Sequence, residues 1–157
     1  MSTPHGYGLR RASLLAVAPE DLWARVGTID GANLELAPWL RMTAPRHVRR
    51  LEDLPTGVPA FRSWLLLLGL VPVDRDEVRL VRVDPLHGFL ERSRLLSAPR
   101  WEHERTLEGH PEGTVLTDRL DVVVGRALPV RAHRSVVAAT FRHRHRQLRA
   151  AFGGRPA

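Results

Sequence analysis

The sequence contains no cysteine, which excludes disulfide bonds and metal sites built on thiolates. This is consistent with a reducing compartment, and we expect a cytoplasmic protein. No apolar run is long enough to span a membrane, since the run at residues 64–71 has only the length of a buried strand. The apolar stretch after Arg10 and Arg11 is too short for a signal peptide, so we interpret it as part of a first strand.

Lysine is also absent, so all 24 basic residues are arginine, and the formal net charge is +7. Such a charge can indicate a nucleic-acid surface. The arginines are spread along the chain, however, apart from clusters at residues 46–50 and 142–146, and no nucleic-acid-binding motif accompanies them. We therefore expect no nucleic-acid partner. The sequence also lacks a glycine-rich phosphate loop, a nucleophile elbow and a metal-ligand motif, so we expect neither cofactor nor metal.

Length and hydrophobic content, 157 residues and 43%, predict one globular domain over residues 1–157, with an ordered core at about 9–152. Pro19, followed by two acidic residues, predicts the start of a helix that Gly27 ends. We expect a break at residues 29–31 and a turn or bulge at 72–76. The other predicted elements are a strand at 9–17, a short helix at 33–40, an irregular segment at 41–59 with one short strand near 47–51, strands at 61–68, 78–83, 89–96, 101–107 and 115–122, and a helix at about 132–152.

The strand at residues 101–107 has an unusual inner face. Alternation places Trp101, His103, Arg105 and Leu107 on one side, while the other side carries glutamate and threonine and faces solvent. An arginine that points into an apolar interior must be paired or must serve a ligand. The sequence therefore predicts a polar site at Arg105.

Closing the two flanking hairpins places two carboxylates beside Arg105. With a turn at residues 97–100, Glu91 lies opposite Arg105; setting Leu107 opposite Leu116 brings Asp118 opposite Arg105 from the other side. The five donors of a guanidinium can serve both carboxylates. Two interpretations stay open: a buried ion network that fixes register, or the polar floor of a ligand cavity or acid–base site.

The last predicted helix carries an apolar stripe that a histidine interrupts. Val137, Phe141, His145, Leu148 and Phe152 recur at helical spacing. His145 is either a partly buried histidine satisfied by a neighbour or a pocket residue. Its neighbouring histidines do not form a metal site, because residues two apart on a helix do not face together.

The order of a strand, two short helices, an antiparallel meander and a long C-terminal helix resembles the helix-grip fold of the START-like, or SRPBCC, superfamily. The likeness covers about residues 9–152. The segments that carry it are residues 18–23, 38–43, 69–74, 88–93, 101–105, 117–120 and 141–145. The resemblance implies an α+β fold in which a curved antiparallel sheet of about six or seven strands wraps around the C-terminal helix and encloses an apolar cavity.

The same resemblance implies two functions for the cavity. The first is binding of a small, largely hydrophobic molecule; the alternative is a polyketide cyclase- or dehydratase-like enzyme, in which Arg105 polarises a carbonyl while His103 or a carboxylate moves a proton. The candidate ligand-binding residues are Arg105, His103, Glu91, Asp118, Trp101, Trp64, Phe89, Leu120, Phe141 and His145.

Overall fold

The computed structural model describes residues 5–157 and contains one eight-stranded antiparallel sheet with three α-helices. The strand order across the sheet is β2-β3-β4-β5-β6-β7-β1-β8. The elements are β1 (Gly6–Leu15), α1 (Pro19–Val26), α2 (Ile29–Leu36), β2 (Leu40–Met42), a 3-10 turn (Leu51–Asp53), β3 (Pro59–Leu67), β4 (Val71–Asp84), β5 (Gly88–Leu95), β6 (Arg100–His110), β7 (Gly113–Val123), α3 (Val130–Phe152) and β8 (Gly154–Pro156).

The predicted α+β architecture is confirmed: the curved sheet wraps around the long C-terminal helix. The buried stripe of α3 consists of Phe141, His145 and Leu148. Leu148 packs in one core cluster with α1 and the middle of β6 and β7, and Phe141 packs in a second cluster near the other end of β7. Because the stripe faces the sheet, the residues between α3 and the sheet form the interior of the molecule.

Helix α2 begins four residues earlier than its sequence pattern predicts, and the expected break at residues 29–31 is wrong. The Thr28 hydroxyl caps this helix by accepting a 3.0 Å hydrogen bond from the Gly31 amide. At Gly31 a Cβ would lie 1.8 Å from the Arg25 carbonyl oxygen, so only glycine permits the observed approach of α2 to α1. This close packing fixes the position of Glu35 on α2.

The prediction of a turn or bulge at residues 72–76 is confirmed as a bulge: β4 is continuous from Val71, and its register with β3 shifts between the pairs Leu66–Pro72 and Leu65–Asp74. The chain itself turns at residues 68–70, between the two strands. Asp74 and Asp76 resemble turn residues in the sequence, yet both line the interior side of the sheet. These two carboxylates therefore face the interior cavity and do not mark a chain reversal.

The sheet has two short strands that the sequence pattern did not predict. β2 lies in the segment predicted to be irregular, while the strand expected near residues 47–51 is reduced to a single bridge between Arg50 and Thr28 and the 3-10 turn that follows it. β8 follows α3 directly and pairs with β1, with Leu15 opposite Gly154. These additions account for eight strands where about six or seven were expected.

Candidate functional site: an ion network beside an apolar cavity

The predicted pairing of Arg105 with Asp118 is confirmed. β6 and β7 pair with Arg105 opposite Asp118 and Leu107 opposite Leu116. Arg105 Nε donates to Asp118 Oδ1 at 2.7 Å, and Arg105 Nη2 donates to Asp118 Oδ2 at 2.8 Å. Only 1% of Arg105 is exposed, so this bidentate pair lies in a low-dielectric interior where it is much stronger than a surface pair.

The second carboxylate beside Arg105 is Glu35, and the prediction that it is Glu91 is wrong. Glu35 reaches in from α2, where its Oε2 accepts from Arg105 Nη1 at 3.0 Å and its Oε1 from Arg105 Nη2 at 2.9 Å. The chain reverses earlier than predicted: Leu95 and Ala98 exchange backbone hydrogen bonds around residues 96–97, and β5 pairs with β6 from Ser93 opposite Trp101. The register therefore shifts by two residues and places Glu91 opposite His103.

Asp118 is saturated with hydrogen bonds. In addition to the two from Arg105, its Oδ1 accepts from His103 Nε2 at 2.7 Å and its Oδ2 from His145 Nε2 at 2.9 Å. Four bonds use the full acceptor capacity of a carboxylate. Burial by itself raises the pKa of Asp118, but the charge and hydrogen bonds of Arg105 and His103 outweigh it and hold this pKa well below its usual range. Asp118 is therefore ionised at neutral pH.

His145 is a buried, neutral histidine. The Arg149 guanidinium donates to Ser13 Oγ at 2.8 Å, and the Ser13 hydroxyl donates to His145 Nδ1 at 2.9 Å. With Nδ1 as an acceptor, Nε2 carries the single proton that is donated to Asp118. Burial lowers the pKa of His145, and the bond to Asp118 offsets only part of that effect. Both ring nitrogens of His145 are thus hydrogen-bonded to neighbouring side chains.

His103 lies between the ion network and the apolar interior. Its ring meets Phe89 and Phe141 edge-on, with centroid separations of 5.2 and 5.1 Å. Its Nδ1 lies 3.7 Å from Glu91 Oε2, on the side opposite Asp118. Burial by itself lowers the pKa of His103, but the charge and hydrogen bond of Asp118, with the Glu91 carboxylate nearby, raise it overall. His103 is therefore a titratable residue that contacts both the ion network and the cavity.

A cavity of about 440 Å³ lies between the sheet and α3, and its walls are mostly apolar. Leu128 and Val136 line it while 42% and 65% exposed, so the cavity reaches the surface near the start of α3. The apolar residues that line its interior include Ile29, Leu36, Phe61, Leu65, Val78, Leu80, Phe89, Leu95, Trp101 and Phe141.

Six of the ten candidate ligand-binding residues line this cavity: Arg105, His103, Glu91, Trp101, Phe89 and Phe141. Asp118, His145 and Leu120 are buried but lie outside its lining. Asp118 and His145 instead hold Arg105 and His103 in place.

Trp64, a candidate ligand-binding residue, does not line the cavity, although its neighbour Leu65 does. Trp64 is 44% exposed and stacks beneath the Arg75 guanidinium, 5.5 Å from its ring centroid. Alternation along β3 explains the position, because Phe61 and Leu65 point inward and Trp64 must then point outward. The near-continuous apolar run of this strand hid that alternation.

A polar chain crosses the cavity wall near its opening. Tyr7 donates to His133 Nδ1 at 2.8 Å, His133 Nε2 donates to Ser97 Oγ at 3.0 Å, and the Ser97 hydroxyl donates to Asp74 Oδ2. Burial lowers the pKa of His133, although the Asp74 charge opposes that effect. Because each hydroxyl already has an acceptor, Ser97 is a structural link and not a nucleophile poised beside a base.

Four polar lining or network residues were missed from the sequence: Glu35, Asp74, Asp76 and Arg144. Arg144 donates from Nε to Glu35 Oε1 at 3.0 Å and lies over the Phe141 ring, so Glu35 bridges two arginines. Burial by itself raises the pKa of Glu35, but the charges of Arg105 and Arg144 together with the hydrogen bonds from Arg105 outweigh it and lower this pKa. One signal was available, because Glu35 is a carboxylate within an otherwise apolar helix stripe.

Within residues 5–157, no group of three or more His, Asp or Glu side chains is placed to hold a metal ion. No helix in this part of the chain is long and apolar enough to cross a membrane.

Comparison with solved structures supports the fold. Protein CV1439 from Chromobacterium violaceum has a TM-score of 0.70 and 17% identity, covering 96% of this chain and 99% of its own. A START superfamily protein from Mycobacterium smegmatis has a TM-score of 0.62 and 14% identity, covering 94% and 97%. The di-domain ARO/CYC StfQ from the steffimycin biosynthetic pathway has a TM-score of 0.64 and 14% identity, covering 92% of this chain and 50% of its own.

These structures show that the chain has the helix-grip fold that the resemblance predicted. At such low identities they establish the fold alone. No curated protein matches the sequence. The chain belongs to the family described as DUF8410, a domain of unknown function, whose model matches residues 13–152.

Proposed function

We propose that this protein binds a small, largely hydrophobic molecule in the cavity between the sheet and α3. The observation that carries the proposal is the cavity itself, whose volume of about 440 Å³ lies in the range of small-molecule sites. Aromatic rings of Phe89, Trp101 and Phe141 contribute to its apolar wall. A few polar groups face the same space, which is the combination that orients a ligand within an otherwise apolar site.

The state of Arg105 favours binding over the cyclase- or dehydratase-like alternative. Four of its five N–H donors are held by Asp118 and Glu35. Polarising a substrate carbonyl would depend on the one remaining hydrogen of Nη1, whereas an oxyanion-type site needs donors aimed at the reacting atom. The network is therefore suited to holding the cavity wall in place, and it leaves Arg105 few donors for catalysis.

A neutral fluorescent probe, N-phenyl-1-naphthylamine, tests the proposal. Its emission should rise on binding to the wild-type protein and saturate at one site. Ala32 lines the cavity from α2, so Ala32→Phe fills part of the space and should weaken probe binding at least tenfold. Ala139 lies on the exposed side of α3, so Ala139→Phe provides a control with the same side-chain change and should leave the affinity unchanged.

Loss of tertiary structure in Ala32→Phe would be detected by near-ultraviolet circular dichroism, and Leu36→Phe then provides a second filling variant on the same wall. An absence of probe binding to the wild type contradicts the proposal. Equal binding by the folded filling variant and the control variant contradicts it as well.

A further inference from the structure

Within residues 5–157, one pair of carboxyl groups on the cavity wall, Asp76 and Glu91, forms no ion pair with an arginine; its nearest cationic group is His103, 3.7 Å from Glu91. Asp76 on β4 lines the cavity, is only 8% exposed and lies near a second lining carboxylate, Glu91 on β5, whose charge acts on it. Two neighbouring buried carboxyl groups disfavour the ionisation of both, so such a pair tends to retain one proton. Asp76 Oδ1 is buried with no hydrogen-bond partner anywhere in residues 5–157. A buried acceptor without a donor is costly and is rare in native interiors.

The neighbours of Asp76 increase its need for positive charge. Asp74 and Glu77 on its own strand and Glu91 on β5 all raise the pKa of Asp76, after burial itself, which is the largest cause. The nearest cationic candidate on β6 is His103, whose Nδ1 approaches Glu91. From α3, His133 meets Asp74 only through Ser97.

The arginines of the cavity wall do not compensate this acidity. Arg105 is held by Asp118 and Glu35, and Arg144 is held by Glu35. The cavity wall and its network thus contain five carboxyl groups, namely those of Glu35, Asp74, Asp76, Glu91 and Asp118, but two arginines and one histidine with a raised pKa. The excess of negative charge is concentrated at the Asp76–Glu91 pair.

We propose that the Asp76–Glu91 pair binds the ammonium group of an amphiphilic amine whose apolar body fills the cavity. This inference rests on the proposed function and specifies the class of ligand. The ammonium N–H groups would supply Asp76 Oδ1 with its missing donor, and charge-assisted hydrogen bonds of this kind are roughly twice as strong as neutral ones. Phe89 lies on the same wall, where an aromatic face further favours a cation.

Binding of the cation releases a proton. In the free protein the pair holds one proton; in the complex the ammonium keeps its own protons, both carboxylates are ionised, and the displaced proton passes to the solvent. Because a proton and the ligand compete for Asp76, the affinity for the amine should fall as pH is lowered toward acid.

Three probes with the same ring system test the inference: 1-naphthylmethylamine, which is cationic at neutral pH; 1-naphthalenemethanol, which is neutral; and 1-naphthoate, which is anionic. Isothermal titration calorimetry of the full chain should give an affinity at least tenfold higher for the amine than for the alcohol, and weakest binding for the anion. Titrations in buffers of different ionisation enthalpy should show proton release with the amine alone.

Asp76→Asn keeps the shape of the side chain and removes the exchangeable proton. It should reduce amine affinity to that of the alcohol and abolish proton release, while alcohol binding stays within about twofold of the wild type. Glu77→Gln is the matched control, because the adjacent residue loses the same charge but lies outside the cavity lining, near Arg62. If Asp76→Asn does not fold, Glu91→Gln removes the other half of the pair and should give the same loss.

The outcomes separate this inference from the proposed function. If the alcohol binds in the cavity and the amine has no advantage, or if Asp76→Asn retains the advantage, the ammonium site is refuted while cavity binding stands. If 1-naphthoate binds most tightly, the anion is held by Arg105 and His103 instead, and the inference is wrong. If none of the three probes binds, the proposed function and the inference fail together.

Discussion

Replacing Arg105 with methionine should destabilise the protein strongly, because it leaves charged carboxylates in the interior without their main partner. Asp118 would keep only the two histidine hydrogen bonds, and Glu35 would keep only Arg144. Breaking a buried ion pair by removing one partner costs about 3–5 kcal/mol. That is a large part of the total free energy of unfolding of about 5–15 kcal/mol for a typical protein.

The chain provides a matched control for this measurement. Arg92 on β5 donates to Glu102 at 2.8 Å, but its side chain is 58% exposed. Exposed pairs contribute about 0–1 kcal/mol, so Arg92→Met should have little effect. Urea denaturation followed by circular dichroism gives both free energies of unfolding. If Arg105→Met loses no more stability than Arg92→Met, the interpretation of the buried network is refuted.

The pH dependence of the same variant adds an independent test. The pKa values of Asp118 and Glu35 are lowered in the folded state. Their contribution is therefore present above the ordinary carboxyl pKa of about 4 and is lost as pH falls through the lowered values. Without Arg105 this acid-dependent loss should shrink. If the free energy of unfolding of Arg105→Met falls with decreasing pH as steeply as that of the wild type, the role assigned to the guanidinium is contradicted.

Three further predictions concern neighbouring residues. Asp76→Asn should raise the free energy of unfolding more at pH 8 than at pH 5. The pKa of Asp76 is raised in the folded protein, so Asp76 destabilises the fold increasingly as pH rises above the ordinary aspartate pKa. Equal changes at both pH values in urea denaturation would contradict this. His145→Gln, which can still donate to Asp118, should remove part of the stability loss that occurs as pH falls below about 6.5, because the folded protein disfavours protonation of His145. If the free energy of unfolding depends on pH in the same way in the variant and the wild type, a neutral His145 ring is contradicted. Gly31→Ala should lower the melting temperature and cost about 1–3 kcal/mol, because its Cβ would collide with the Arg25 carbonyl and move α2; Gly109→Ala, with nothing within 4 Å, is the control and should have little effect.

Local patterns in the sequence predict much of the fold, because alternation and helical spacing depend only on which face is buried. The stripe at Phe141, His145 and Leu148 is buried as its spacing predicts. Asp118 pairs with Arg105 because the tight hairpin between β6 and β7 leaves little freedom in register. These contacts are short in sequence or periodic, and both properties are visible without coordinates.

Contacts that depend on loop geometry or on packing between distant elements could not be predicted in this way. The reversal after β5 lies at residues 96–97 and not at 97–100, which shifts the partner of Glu91 by two residues and depends on how the backbone between Leu95 and Ala98 turns. Glu35 comes from a helix 70 residues before Arg105, and no local pattern connects them. The sequence predicts a turn or bulge at Asp74 and Asp76, because polar residues on an inner strand face violate the usual pattern, and the structure contains the bulge within a continuous strand.

The occupant of the cavity can be located directly by crystallising the protein with 2-bromonaphthalene and recording anomalous diffraction from bromine. We expect one strong bromine peak between the sheet and α3, within contact distance of Phe89, Trp101 or Phe141. A peak confined to the exposed outer surface around Trp64, or side chains that fill the space completely, would contradict the account.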